Sequence, residues 1–147
     1  MIYVGSDHAG FELKEALREH IKEQGHNVVD VGTFSAVNKV DYPDVAKDVA
    51  EKVRDNAGSR GILICGTGIG ISIAANKVKG IRAANVHDIT EARLSRMHND
   101  ANIVTIGQRT TGPETAKDIV DTFLSTEFEG GRHTARLEKI TAIENGQ

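Results

Sequence analysis

The chain has 147 residues, 39% of them hydrophobic and 27% charged, with a formal net charge of −3. That is enough chain for one packed core, and the slight negative charge gives no general attraction for nucleic acid or acidic membranes. No apolar run is long enough to cross a bilayer, no basic leader or cleavage site opens the sequence, and the single cysteine excludes an internal disulfide, so a cytoplasmic location is expected.

The first predicted strand is Ile2–Val4. A helix over about Gly10–Gln24 follows, with Leu13, Leu17 and Ile21 four apart on one face and Gly25 where a C-cap glycine belongs. Asn27–Val31 reads as the second strand, Pro43–Arg54 as a helix opened by proline, and Gly61–Cys65 as the third strand. Helix Ile71–Val78, strand Ile81–Val86, helix Asp88–His98, strand Asn102–Ile106 and helix Pro113–Leu124 continue the alternation. After Gly130-Gly131 a last helix is expected over about Thr134–Glu144, with Leu137 and Ile140 on one face. Each strand is apolar at nearly every position, as in a parallel sheet covered on both sides. The pattern predicts an α/β fold: a doubly wound five-stranded parallel sheet, Rossmann-like, in a three-layer α/β/α arrangement. Residues 1–147 are expected to form one domain with a C-terminal helical arm from about 130 to 147. The Gly-Gly break leaves that arm to pack on its own domain or to reach a partner subunit.

Ligands of such sheets bind beyond the carboxyl ends of the strands, so the residues that follow each strand carry the chemistry. The most informative segment is Cys65-Gly66-Thr67-Gly68-Ile69-Gly70, which links a strand to a helix of small residues. Alternating glycines let the backbone turn tightly and present successive N–H groups to an anion. A tight βα turn with glycines for packing explains the glycines equally well. Position 71 is Ile, so the GxGxxG dinucleotide fingerprint is missing, and no Lys completes a Walker A loop. No Arg follows Cys65 closely enough for a thiol phosphatase, the nearest being Arg82. The loop therefore suits a small developing negative charge such as an enediolate oxygen. A cysteine at this position is either a buried spacer or a reactive thiol whose ionised form the loop and helix N-terminus favour, and its place on the ligand side favours the second.

Asp7 and His8 follow the first strand, where an acid and an imidazole can grip hydroxyls or move protons, although Asp7 also suits a helix N-cap. His98 ends the fourth helix and can serve as acid or base, or simply as a cation at a helix C-terminus. Arg132 and Arg136, four apart at the start of the last helix, offer guanidinium forks to a phosphate or form a solvated basic face, and Arg109 is a third cation on the ligand side. His133 is read as a local cap, and His20, His26 and His87 as surface or loop residues. No His pair has the HExxH spacing, so neither a metal nor another cofactor is implied.

Taken together, Ser6–Phe11, Asp41–Asp44, Gly61–Lys77, Gly80–Ala84, Leu94–Asn102 and Gly130–His133 resemble the type B ribose-5-phosphate isomerase family, which also includes galactose-6-phosphate and allose-6-phosphate isomerases. The resemblance covers nearly the whole chain and implies a sugar-phosphate substrate. It implies that Cys65 abstracts the proton shared between sugar carbons one and two and that Thr67 helps move protons between the oxygens. It makes the Gly66, Gly68 and Gly70 region the cradle of the enediolate, the preorganised electrostatic part of such a site. His98 would open the furanose ring, with Asp7 nearby. Tyr42 and Asn99 would line the sugar, and His8, Arg109, Arg132 and Arg136 would hold the phosphate. The family is a homodimer with shared sites, so Arg132 and Arg136 are expected to reach the other subunit. The alternatives are an isomerase of a six-carbon sugar phosphate and a non-catalytic sugar-phosphate sensor. A nucleotide-binding module is disfavoured by the missing fingerprint.

Overall fold

The structure is a computed structural model that describes all residues, 1–147. Five strands, β1 (Ile2–Ser6), β2 (Val28–Gly32), β3 (Arg60–Cys65), β4 (Ala83–Asn85) and β5 (Ile103–Gly107), lie parallel in one sheet of order β2-β1-β3-β5-β4. The helices are α1 (Phe11–Glu23), α2 (Tyr42–Asp55), α3 (Ile69–Ala75), α4 (Ile89–Asn99), α5 (Pro113–Ser125) and α6 (Arg132–Glu144).

Apolar side chains leave both faces of the sheet, so two cores form. On one face Val4, Ile62, Ile64 and Ile106 meet Leu13, Leu17 and Ile21 of α1 and Ile119 and Phe123 of α5. On the other, Leu63, Cys65 and Ile103 meet Val45, Val49 and Val53 of α2 and Ile71 and Ala75 of α3. Each fully covered Leu or Ile of α1 contributes about 2 kcal/mol through removal of its surface from water. The expected three-layer α/β/α sheet is what forms. The expectation of strands buried throughout holds for β3 and β5 but not for β2 and β4, which are only half-buried along most of their length. Those two are the sheet's edges, and β4 shrinks to three residues where Ile81–Val86 was expected.

Local signals place the elements against one another. The Asp7 carboxylate accepts from the backbone N–H groups of Ala9 and Gly10 at 3.0 and 3.1 Å, capping a short 3-10 turn before α1. A Cβ on Gly10 would lie 2.6 Å from the Ile64 carbonyl oxygen, so only glycine lets this turn press against β3. Lys14 is fully buried, with its Nζ 2.7 Å from both Asp30 oxygens and 5.2 and 5.5 Å from the ring centres of Phe11 and Phe34. That cation ties α1 to β2 and to the segment after it.

The order of the sheet sets the place of the site. The chain winds from β1 outward to β2, then returns to β3 on the other side of β1. Neighbouring strands whose connections leave in opposite directions open a crevice at their carboxyl ends. Ser6 pairs with Ile64, so Asp7 and Cys65 emerge side by side at that crevice.

Candidate active site

Cys65 ends β3 at 5% exposure. Its Sγ accepts a hydrogen bond from the Gly68 N–H at 3.1 Å. Gly68 is left-handed, with φ 79°, and a Cβ there would lie 2.5 Å from the Asn85 Oδ1, so glycine is required on both grounds. Thr105, fully buried within β5, donates its hydroxyl to the Gly68 carbonyl at 2.9 Å and holds the loop from below. Thr67 is exposed at the loop's crest, and its Oγ1 accepts from the Ile69 N–H at 3.2 Å, which leaves the hydroxyl proton free to donate.

The thiol is buried but not sealed. It borders an open cleft of about 460 Å³ whose walls include Asp7, His8, Tyr42, Gly66, Thr67, Gly70 and Arg109. Tyr42, at the first turn of α2, leans against α3 so closely that a Cβ on Gly70 would fall 2.7 Å from its ring. Arg109 lies over the loop, with guanidinium atoms 3.5 Å from where a Gly66 Cβ would sit. His8 Nδ1 accepts from the Val40 N–H at 3.3 Å. The neutral ring then carries its proton on Nε2, ready to donate to an anion. Asp7 is the only carboxylate on the cleft wall, and its Oδ1 serves the capping turn. A thiol, an imidazole donor, a hydroxyl and a guanidinium thus face one opening.

Four expected site residues lie elsewhere. α4 runs back down the sheet, so His98 and Asn99 sit at its far end, where Arg82, just before β4, donates its Nε to the Asn99 carbonyl at 2.8 Å. The six residues of β3 span the sheet, which puts those side chains about 15–20 Å from Cys65. His98 is therefore not near Asp7 within one chain. Arg132 and Arg136 begin α6 in the same region, and the Glu129 N–H donates to the Met97 carbonyl at 3.1 Å. The Arg132 side chain is two-thirds exposed.

His133 was read as a cap and proves to be something else. It is buried, and its ring stacks on His98 with centres 4.4 Å apart and planes 20° apart. Burial, and then the neighbouring Arg132 and His98 charges, push its pKa below the ordinary histidine value. Donor atoms of His98, Glu129 and His133 lie within 4.8 Å of one another, a grouping no local spacing in the sequence reveals. Stacked rings flanked by arginines suit an anion better than a cation. Sequence reasoning also missed Thr105, for which the signal was one hydroxyl inside the apolar run Ile103–Ile106.

An open parallel sheet with a thiol and anion donors converging at its switch point defines an α/β enzyme for a small anionic substrate. A model of the Ribose/Galactose Isomerase family matches residues 2–140. The chain is 51% identical over 143 residues to ribose-5-phosphate isomerase B of Escherichia coli, covering 97% of this chain and 95% of that protein. It is 42% identical over 144 residues to D-erythrulose-4-phosphate isomerase of Pectobacterium atrosepticum, covering 98% and 95%. Among solved structures, ribose-5-phosphate isomerase B of Clostridium thermocellum superposes with a TM-score of 0.96 at 52% identity, covering 99% of this chain and 97% of that one. The type B enzyme of Trypanosoma brucei gives 0.92 at 48%, covering 97% of each. The chain belongs to the ribose/galactose isomerase family.

Proposed function

We propose that the protein is an aldose–ketose isomerase that interconverts ribose 5-phosphate and ribulose 5-phosphate through a cis-enediolate. The observation that carries this reading is Cys65 Sγ at the edge of an open cleft, beside the Gly68 N–H, in a chain of this family. A proton next to a carbonyl is weakly acidic, so a base must act together with groups that stabilise the charge on oxygen. Cys65 takes the proton from one sugar carbon and returns it to the next. The Gly66–Gly70 amides hold the enediolate, and Thr67 passes a proton between its two oxygens. Asp7 and Tyr42 contact the sugar, and His8 and Arg109 bind the phosphate end, so that binding energy far from the reacting carbons fixes their position.

His98, Asn99, Arg132 and Arg136 belong to the same machinery through a second copy of the chain. Each protomer carries both halves at opposite ends of its sheet, and a two-fold axis brings unlike ends together twice. Ile69 and Ile73 beside the thiol loop, and Ile140 and Ile143 on α6, are all about half exposed or more, an apolar surface that a homodimer would cover. In that dimer His98 opens the furanose ring, Asn99 lines the sugar, and Arg132 and Arg136 complete the phosphate clamp. A base that must stay a free thiol suits a reducing compartment, which supports a cytoplasmic location.

The test is a comparison of ribose 5-phosphate, allose 6-phosphate, galactose 6-phosphate and erythrulose 4-phosphate under a metal chelator. Highest kcat/KM on ribose 5-phosphate, unchanged by the chelator, is expected. A higher value for another sugar phosphate overturns the substrate, and a rate lost to the chelator overturns the mechanism.

A further inference from the structure

A second cavity lies at the other end of the sheet, and none of the residues given roles above is on its wall. It has a volume of about 370 Å³, and its wall carries four guanidinium groups, those of Arg54, Arg60, Arg82 and Arg96, against one carboxylate, Asp100. Arg60 begins β3 and Cys65 ends it, so this cavity is a strand's length, about 17 Å, from the thiol of its own chain.

The single carboxylate is already divided. Asp100 pairs with Arg96 at 2.9 Å and with Arg82 at 3.3 Å. Arg54 turns to Asp55 at 2.8 Å and to Glu51 at 3.6 Å on the outer rim. Arg60 has no carboxylate partner, and its one hydrogen bond goes to the Phe123 carbonyl. Arg60 and Arg96 also share one phenyl ring, their guanidinium carbons lying 5.7 and 5.9 Å from the centre of Phe123. Two cations thus face the same ring and the same cavity. Burial and the Arg96 charge push the Arg60 guanidinium below its ordinary value, while Glu127 and Asp100 offset this only in part.

Gathering like charges around a small opening is unfavourable unless a counter-charge enters it. A guanidinium has five N–H donors, of which Arg60 uses one and Arg82 and Arg96 each use three, leaving two apiece. Planar forks that converge on one space match tetrahedral oxyanions. The geometry points to a binding site for a dianionic phosphate group in this cavity, separate from the substrate cleft. The volume admits inorganic phosphate or a small phosphate ester.

Inorganic phosphate and glycerol 3-phosphate, which has no carbonyl to isomerise, are titrated into the dimer and followed by amide NMR and calorimetry. Shifts at the rim amides of Gly58 and Gly80 are expected, with the tighter of the two probes marking the source. Arg54→Ala, on the exposed rim, and Arg60→Ser should each weaken this binding at least tenfold and leave KM for ribose 5-phosphate unchanged. Arg136→Ala should leave it intact. Shifts confined to the Cys65 loop, binding that disappears with Arg136→Ala, or binding untouched by both cavity variants would each overturn the site. Failure of the isomerase assay would instead strike the proposed activity and leave this result standing.

Discussion

Cys65 belongs to a hydrophobic cluster and yet faces a cleft, and both facts shape what a substitution does. Shortening the thiol-bearing side chain to a methyl group removes the base and little packing. Cys65→Ala is expected to lower kcat about 10²–10⁴-fold, the usual weight of a positioned base, with substrate affinity nearly unchanged. Isothermal titration with ribose 5-phosphate checks the second half, and lost binding would contradict the assigned role. His133 offers a pH test. Its folded-state pKa lies below the ordinary value of 6.5, so the unfolded chain binds the proton more readily. Stability therefore falls as pH drops through about 6.5 and goes on falling until the folded pKa is passed. The melting temperature should decline from pH 7 to about pH 5.5, and His133→Gln should flatten that decline. The histidine's sequence neighbours could not disclose this, because the group that stacks on it comes from another helix.

Among the elements, α1, β3 and β5 were readable because apolar spacing and capping residues agree with the tertiary packing. The edges were not, since a strand with one neighbour keeps its β-branched residues while losing cover. The Cys65–Gly70 loop was legible as a turn between a strand and a helix, but its support from Thr105 depends on which strand lies next to β3. The tie between α1 and β2 was hidden as well, for a lysine on a helix ordinarily points to water. Lys14 and Asp30 hold those elements together, with Lys14 fully buried and the Asp30 side chain about one-fifth exposed. Asp30→Asn leaves a buried ammonium with only Glu15 and two aromatic rings beside it. A loss of about 3 kcal/mol in a urea titration is expected, the lower end for a broken buried pair because water reaches Asp30. A loss below about 0.5 kcal/mol would show that water already screens the pair.

At the scale of the molecule, the residues of the proposed site could be chosen by type but not placed. Motifs give identities, whereas the run of α4 away from the crevice decides that His98 and Asn99 cannot serve the thiol of their own chain. The proposed dimer makes a sharp prediction for mixtures. Cys65→Ala and Arg136→Ala homodimers should each be nearly inactive. After unfolding and refolding together, half the dimers are mixed, and each mixed dimer has one intact site, so activity should recover to about a quarter of the wild-type rate. No recovery would place both residues in one protomer's site. In the proposed dimer, the direction of a single helix makes turnover a property of the encounter between molecules rather than of the folded polypeptide. Diluted past its point of dissociation, such an enzyme would fall silent with its circular dichroism still native.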